Sequence, residues 1–217
     1  MNDQPLERDT RTLIVGAGPA GLAAAACLKE RGVPFLVLEQ SDRVGSAWRG
    51  HYDRLHLHTS RSMSSLPGYS MPRSYPRYPS RDQVVAYLEQ YAARFGIEPH
   101  FNQRLVRAER ADGRWVAHTT DRRYAADALV LATGYTRVPN VPVWSGMDVF
   151  AGQVLHSSEY RNGRPFAGQD VLVVGFGNSG GEIAVDLHEH GARPAVAVRG
   201  PVNVIPRDTL GISSLRW

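Results

Sequence analysis

The chain has 217 residues, of which 42% are hydrophobic and 21% are charged, so it can bury a core and is not a disordered tail. Its formal charge is +4, and its arginines are scattered rather than clustered, which argues against nucleic-acid binding. The single cysteine, Cys27, excludes an internal disulfide and a Cys-x-x-Cys redox or zinc site, and no stretch approaches the ~20 apolar residues of a membrane helix.

The first predicted unit is a strand, a glycine-rich turn, a helix and a second strand. An apolar run at 12–15 leads into the letters GAGPAG, and a helix of small residues is predicted over 19–31. A second apolar run at 35–38 ends at Glu39. Apolar runs without alternation are typical of buried parallel strands, so a strand–helix–strand crossover is expected.

A long excursion and a helix follow. Residues 41–79 are rich in Ser, Arg, His, Pro and Tyr, and they predict an ordered loop rather than regular structure. Ser80 begins a capping box, apolar residues then recur at helical spacing, and Gly96 marks the end of the predicted helix.

A hairpin and a further strand complete the first unit. Residues 103–120 predict two strands joined at Asp112-Gly113, a dipeptide that favours tight hairpin turns. Residues 129–131 predict another buried strand. This strand ends at Thr133-Gly134, where a plain exit from strand to turn is the alternative to a cofactor contact.

The opening pattern returns near the end of the chain. An apolar run at 171–174 leads into the letters GFGNSG, a helix is predicted to about His190, and a strand at 195–198 ends at Arg199. The predicted fold class is therefore α/β, with two Rossmann-like dinucleotide-binding units of which the second is incomplete.

The predicted domains follow from these units. They are a first dinucleotide-binding domain over 1–145, which the residues discussed below assign to FAD, a linker over 146–168, and a truncated second dinucleotide-binding domain over 169–217, assigned below to NADPH. The first residues, MNDQPLERDTRT, are typical of neither a signal peptide nor a transit peptide, so a cytoplasmic protein is expected.

Both glycine loops are in the context that gives G-x-G-x-x-G meaning, because each follows a predicted strand and opens a predicted helix. The glycines allow a tight turn and a close approach to pyrophosphate, and the helix N-terminus offers unpaired N–H groups. The alternative is a glycine turn in an ordinary α/β protein. The predicted phosphate-binding residues are Gly16, Gly18, Pro19, Ala20, Gly21, Gly175, Gly177, Asn178, Ser179 and Gly180.

The two loops differ in the residue that ends the following strand. Glu39 is suited to accept hydrogen bonds from ribose hydroxyls and to repel a 2′-phosphate, which favours FAD or NAD at the first loop. Arg199 is suited to a 2′-phosphate, which favours NADPH at the second loop. The alternatives are a surface carboxylate and one more solvated arginine. The residues alone therefore predict a pyridine-nucleotide–flavin oxidoreductase with an unknown acceptor.

The segment before the second glycine loop reads F-x-G-x-x-x-H-x-x-x-Y, with Phe150, Gly152, His156 and Tyr160 at the defined positions. It resembles the identifying motif of class B flavin-containing monooxygenases, which we call the fingerprint segment. Baeyer–Villiger members of the family usually have Trp where this chain has Tyr160, so the resemblance favours the N- or S-oxygenating and plant-type branch. Segments similar to the YUCCA-type monooxygenases are 52–55, 57–58, 66–67, 75–79, 101–103, 132–135, 175–180 with Glu182, and 206–207.

The resemblance implies FAD and NADPH as cofactors, with O2 and a small organic substrate as reactants. Oxygen would be activated as a C4a-(hydro)peroxyflavin, and the protein would position groups and exclude water. The resemblance places His156 and Tyr160 in the catalytic region that couples the two nucleotide domains, although His156 can equally be a buried linker histidine. Further candidate cofactor-binding residues are Gln40, Trp48, His58, Thr133 and Gly134. No metal site is predicted.

The family's enzymes are about twice as long as this chain. The chain is therefore expected to be a fragment, a natural truncation, or half of a split enzyme completed by a second chain or by a second copy. Whether it turns over stays open, and the alternative is a catalytically incompetent FAD/NADP-binding module. Disulfide reductases related to thioredoxin reductase also have two glycine loops, but they need a cysteine pair. Neither nucleic acid nor membrane is an expected partner.

Overall fold

A computed structural model describes residues 6–136, 138–210 and 212–213, so the first five residues of the polar first segment lie outside the described residues. The apolar runs build a five-stranded sheet in the order β2-β1-β5-β4-β3. Strands β1, β2 and β5 are parallel, and β3 and β4 extend the sheet as an antiparallel hairpin beside β5. The strands are β1 (Leu6–Val15), β2 (Phe35–Leu38), β3 (Leu105–Ala111), β4 (Arg114–Thr119) and β5 (Arg123–Leu131).

Helix α1 (Pro19–Glu30) connects the parallel strands β1 and β2. Small residues on its buried side, among them Ala25 and Ala26, allow the helix to lie close to the sheet. It ends where predicted, since Gly32 has a φ of 63° and leaves the helical path. The core of this sheet is built from Leu13, Leu38, Ala117, Tyr124 and Ala126.

The predicted hairpin is confirmed, with its turn at Asp112-Gly113. Both residues have positive φ, 50° and 78°, as a tight hairpin turn between two twisted strands requires. The further strand is also present, but as β5 it is longer than predicted, and its last residue, Leu131, is exposed rather than buried.

The excursion at 41–79 is ordered, as predicted, although it contains only two single-turn helices, α2 (Ser46–Arg49) and α3 (Arg61–Ser64). Helix α4 (Arg81–Arg94) fixes part of it through two buried tyrosines. Tyr87 donates its hydroxyl to the carbonyl of residue 69 at 2.5 Å, and Tyr91 donates to the carbonyl of residue 67 at 2.6 Å. The loop is therefore attached by side chains to backbone rather than by a ladder of its own.

The second strand–helix–strand unit is present and consists of β6 (Asp170–Val174), α5 (Asn178–Glu189) and β7 (Arg193–Ala197), with the two strands parallel. Within the described residues β6 and β7 form a sheet of two strands, as expected for an incomplete unit whose strands lack neighbours and leave exposed edges. The expectation that β6 is a buried strand is wrong for one face. Leu172 and Val174 are 63% and 57% exposed because helix α5 covers only the other face. Two short 3-10 helices, Met147–Val149 and Arg164–Phe166, precede β6, and the short strands β8 (Asp208–Thr209) and β9 (Ile212–Ser213) follow β7.

The described chain divides into two compact units. The first contains 6–49, 61–76 and 82–136, and the second contains 50–60, 77–81 and the described residues from 138 onward. Two stretches of the excursion therefore belong to the second unit, although they precede the expected linker by many residues. The core of the second unit is formed by Tyr52, Tyr160, Ile183, Leu187 and Ala192.

Candidate dinucleotide-binding sites

The first glycine loop turns directly from β1 into α1, and two of its glycines are sterically required. Gly16 has a φ of 112°, and a Cβ there would lie 2.4 Å from the carbonyl oxygen of Ala132. A Cβ on Gly21 would lie 1.9 Å from the carbonyl oxygen of Gly16. Only glycine allows the strand, the loop and the helix to approach this closely.

The N-terminus of α1 is left without a capping side chain. Gly18 is the N-cap with φ −86° and ψ −173°, Pro19 is at the first helical position, and no acidic residue lies in the first turn. A Cβ on Gly18 would meet nothing within 4 Å, so the loop is open on that side. Ala20 is exposed next to it. Unpaired N–H groups beside open space form an anion site suited to pyrophosphate.

Glu39 reaches this loop from the end of β2. Its side chain is buried, with the residue 8% exposed, and Oε2 accepts the N–H of Ala17 at 2.8 Å. Oε1 accepts the N–H of Ser41 at 3.0 Å and its hydroxyl at 2.5 Å. The carboxylate is therefore held against the glycine loop, and Oε2 keeps a second lone pair for a further donor such as a ribose hydroxyl.

Other candidates of the first unit surround the same loop. Thr133 and Gly134 are exposed directly after β5, next to the carbonyl of residue 132 that limits Gly16. Gln40 is exposed beside Glu39. Trp48 is half-buried in α2, whose preceding turn donates the Gly45 N–H to the carbonyl of Ala17 at 3.2 Å. These residues therefore gather at the carboxyl ends of the parallel strands, where dinucleotides bind in such sheets.

The second glycine loop repeats the first in its backbone geometry. Gly175 has a φ of 100°, and a Cβ on Gly180 would lie 2.2 Å from the carbonyl oxygen of Gly175. Gly177 is the N-cap of α5 with φ −82° and ψ −172°, without a capping side chain, and its missing Cβ also faces open space. The second loop thus offers the same anion site at the start of a 12-residue helix.

The side chains around the second loop include exposed polar groups, a buried tyrosine and an exposed arginine. Asn178 and Ser179 are exposed in the first turn of α5, and Tyr52 is buried in the core of the same unit. Burial raises the pKa of Tyr52, and the nearby Glu182 carboxylate raises it further. Arg199 is exposed two residues beyond β7, and no carboxylate of the described residues lies within 4 Å of it. Its guanidinium is therefore available to an anion.

The fingerprint segment is attached to α5 through Tyr160. The Tyr160 hydroxyl donates to Oδ2 of Asp186 at 2.6 Å, and the same oxygen accepts the N–H of Gly163 at 2.8 Å. Burial raises the pKa of Tyr160 far above its ordinary range, and the bond to Asp186 adds to this. The hydroxyl keeps its proton, so the geometry gives Tyr160 an anchoring task, and a part in catalysis stays a prediction.

His156 forms its contacts within its own turn. Its Nδ1 accepts the N–H of Ser158 at 3.2 Å and lies 2.8 Å from the Ser158 hydroxyl. Its backbone N–H donates to Oε2 of Glu159 at 3.0 Å. The histidine is half-buried, and these bonds fit the interpretation as a linker residue, so a catalytic role stays a prediction.

Sequence reasoning missed several residues that hold the second unit together. Asp53 accepts hydrogen bonds from Arg81 at 2.8 Å and from the Asn162 amide at 2.8 Å, and its own N–H donates to the carbonyl of Arg161 at 2.8 Å. The Asn162 bond, followed by the Arg81 guanidinium, holds the pKa of Asp53 below its usual range. Asp186 was also missed, although an acid between Ile183 and Leu187 on the apolar face of a helix is a usable signal.

His58 is half-buried in the second unit, and its predicted contact with a cofactor stays a prediction. Among the residues that the structure describes, no group of three His, Cys, Asp or Glu side chains could hold a metal ion. None of the described helices combines the length and the apolar character that crossing a bilayer requires.

Comparison with known proteins agrees with the dinucleotide-binding geometry of the two loops. The model of the pyridine nucleotide-disulphide oxidoreductase family matches residues 13–209. Indole-3-pyruvate monooxygenase YUCCA1 of Oryza sativa is 47% identical to this chain, covering 100% of it and 57% of the relative. The resemblance to the YUCCA-type branch is thereby confirmed, and the chain spans about half the length of the curated relatives that it matches.

Solved structures confirm the predicted fold class. A doubly substituted flavin monooxygenase from Stenotrophomonas maltophilia superposes with a TM-score of 0.88 at 31% identity, covering 94% of this chain and 61% of that one. A bacillithiol disulfide reductase from Staphylococcus aureus, at 21% identity, has a TM-score of 0.81, covering 96% of this chain and 61% of that one. At that identity the second likeness concerns the fold alone.

Proposed function

Since the chain belongs to the pyridine nucleotide-disulphide oxidoreductase family, we propose that its two glycine loops hold two different dinucleotides, FAD at the first and NADPH at the second. The observation that carries this proposal is the repeated loop geometry. In each loop an uncapped helix N-terminus faces open space at the second glycine, and different charged residues, Glu39 and Arg199, follow the two strands.

FAD fits the first loop. Gly18 leaves room for its pyrophosphate, and Glu39 is held against the loop with a lone pair free for a ribose hydroxyl. Thr133, Gly134, Gln40 and Trp48 are at the same end of the sheet and would line the remainder of the cofactor. The buried Glu39 carboxylate also repels a 2′-phosphate at this loop. FAD, which lacks that phosphate, is therefore favoured over NADPH there.

NADPH fits the second loop. Gly177 leaves the equivalent space, and Asn178 and Ser179 are exposed beside it. Arg199 offers the 2′-phosphate a guanidinium that is not paired with any carboxylate of the described residues. Together the cofactors would pass two electrons from the nicotinamide through the flavin to dioxygen, so that one oxygen atom enters a small substrate and the other leaves as water. Two of the plant relatives are indole-3-pyruvate monooxygenases, which supports indole-3-pyruvate as that substrate. We also place the protein in the cytoplasm.

The fingerprint residues act in this proposal by position. Tyr160, through Asp186, fixes the fingerprint segment to α5, the helix whose N-terminus receives NADPH. His156 stiffens the turn that precedes Tyr160 by accepting a local N–H. Both therefore support the nucleotide site without a proton transfer of their own.

Two matched variants test the assignment of each cofactor. Gly18→Ala and Gly177→Ala each place a methyl group in open space, so both should fold. Gly18→Ala should lower the visible flavin absorbance of the purified protein. Gly177→Ala should keep the flavin and weaken the binding of NADP+ measured by calorimetry. Loss of flavin from Gly177→Ala and not from Gly18→Ala would contradict the assignment.

Turnover is a separate measurement. NADPH added without oxygen should bleach the bound flavin, and oxygen admitted afterwards should restore its colour and, with indole-3-pyruvate, yield an oxygenated product. Flavin that stays oxidised with NADPH would instead support the alternative of a binding module without activity. Arg199→Ala should weaken NADPH far more than NADH, and equal losses would refute its role.

A further inference from the structure

The segment that carries Arg199 lacks regular structure of its own. Between the end of β7 at residue 197 and the start of β8 at residue 208, every residue is exposed and none is in a helix or strand. Such a segment gains its position from the points where it is attached. One attachment is β7, just before Arg199, and the other is the pair Arg207 and Asp208.

Arg207 binds two groups at once. Its guanidinium lies 4.9 Å from the ring centre of Tyr78, and its Nη2 lies 3.3 Å from Oε1 of Glu182. Glu182 is in the first half of α5, and its side chain is only 15% exposed. A cation that is stacked on an aromatic face and paired with a nearly buried carboxylate is more strongly restrained than an ordinary surface arginine.

Glu182 is itself fixed from the other side. Its Oε2 accepts a hydrogen bond from Nε of Arg54 at 3.2 Å, and Arg54 also pairs with Glu189, two turns further along α5. The carboxylate that receives Arg207 is therefore not free to follow it. This makes α5 a rigid support for the far end of the segment.

Asp208 adds a second restraint beside the first. Its Oδ1 accepts the Tyr78 hydroxyl at 2.7 Å and Nη1 of Arg77 at 2.8 Å. Tyr78 therefore contacts both anchor residues, one with its ring and the other with its hydroxyl. The residues of this anchor belong to one compact unit. Among them, Arg54, Tyr78 and Arg207 are in segments that resemble the YUCCA-type monooxygenases, and these three residues had no role in the nucleotide site described above.

We infer that Arg207 is a positioning residue for NADPH: through Glu182 and Tyr78 it holds the segment 198–206, so that Arg199 is placed for the 2′-phosphate. The inference rests on the proposed function of the second loop. Arg207 acts through Arg199, since its own charge is already matched by Glu182. Without the anchor, the segment must be ordered when NADPH binds. Because this ordering costs conformational entropy, the affinity for NADPH that Arg199 contributes falls.

A double-mutant cycle on the full chain tests this inference. Affinities for NADPH and NADH are measured by calorimetry for the wild type, Arg199→Ala, Arg207→Ala and the double variant. Arg199→Ala should weaken NADPH by about 10- to 100-fold, the value of a charged hydrogen bond. Arg207→Ala should lower the preference for NADPH over NADH by about 5- to 30-fold, the cost of ordering about one residue. The double variant should be no worse than Arg199→Ala.

Two further variants separate positioning from general damage. Arg207→Lys keeps the charge opposite Glu182 and should retain most of the preference for NADPH. Arg164→Ala removes an exposed arginine of the same unit and should change neither affinity nor preference. Circular dichroism confirms that each variant is folded.

The outcomes distinguish the inference from its premise. An unchanged nucleotide preference in Arg207→Ala, or losses that add in the double variant, would overturn the positioning role while leaving the NADPH site in place. A wild-type chain that binds neither nucleotide, or binds both equally whether or not Arg199 is present, would overturn the proposed function together with this inference.

Discussion

Replacing Tyr160 by Phe isolates one hydrogen bond in the core of the second unit. Phe keeps the ring, which stacks on Phe166 with centroids 6.0 Å apart and meets Tyr52 edge-on at 6.4 Å. The hydroxyl that is lost donates to the carboxylate of Asp186, a residue that is 3% exposed. A hydrogen bond to a buried charge contributes about 1.5–3 kcal/mol, so the midpoint of thermal unfolding should fall by about 3–12 °C.

The assay is thermal unfolding followed by circular dichroism, with Tyr135→Phe as the matched control. Tyr135 is 98% exposed, so removal of its hydroxyl should change the free energy of unfolding by no more than about 0.5 kcal/mol. If Tyr160→Phe unfolds at the same temperature as this control, the anchoring role of the Tyr160–Asp186 bond is refuted.

The same variant has a signature at alkaline pH. Because burial and Asp186 raise the pKa of Tyr160 in the folded protein, the neutral form is favoured there. The stability that this shift contributes is fully present below the ordinary tyrosine pKa of 10.0, and it is lost as pH rises above that value. The difference in stability between the wild type and Tyr160→Phe should therefore shrink above pH 10.0; a constant difference would contradict the shift.

Further changes test other contacts of the second unit. Gly163→Ala should lower the free energy of unfolding, measured by chemical denaturation, by about 1–3 kcal/mol, because its Cβ would lie 2.8 Å from a backbone oxygen of α5. Gly200→Ala is the control and should leave the free energy of unfolding unchanged, because a Cβ at this position would meet open space. Because the pKa of Asp53 is lowered in the folded protein, its carboxylate contributes stability that is present above pH 3.8, the ordinary pKa of Asp, and is lost as the pH falls below that value. In Asp53→Asn, the free energy of unfolding should therefore decrease less steeply at acidic pH than in the wild type. The exposed apolar face of β6 and β7, which includes Leu172 and Val174, should cause the chain to self-associate in sedimentation velocity. Leu172→Glu places a charge on this face and should shift the chain toward monomer. A sharp monomer peak of the wild type would disprove this prediction.

The glycine loops were predictable from the sequence because two positions in each loop leave no alternative to glycine. Gly16 and Gly175 adopt backbone angles that other residues rarely reach, and Gly21 and Gly180 touch the carbonyl of the loop itself. These constraints are local, so they leave a short motif with fixed spacing. The hairpin turn was predictable for the same reason.

Which stretches of the chain form the second unit could not be predicted in this way. Tyr52 packs on Tyr160, which is more than a hundred residues away, and no periodicity or spacing connects them. The resemblance to known monooxygenases marked the segments 52–55 and 206–207 without saying what they touch. Asp186 could have been found, since a carboxylate within an apolar helix face needs partners, but nothing local identifies Tyr160 as the donor.

The assembly of the second unit from separated stretches has a practical consequence for dividing the gene. A polypeptide that starts at residue 138 would contain β6, α5 and β7 but would lack Tyr52, which packs in their core, and Asp53, which accepts a hydrogen bond from Asn162 just after the fingerprint segment. During synthesis, residues 50–60 and 77–81 leave the ribosome before the rest of the second unit. The second unit can therefore be completed only when its later residues have been made, and it then draws on stretches from the first half of the chain.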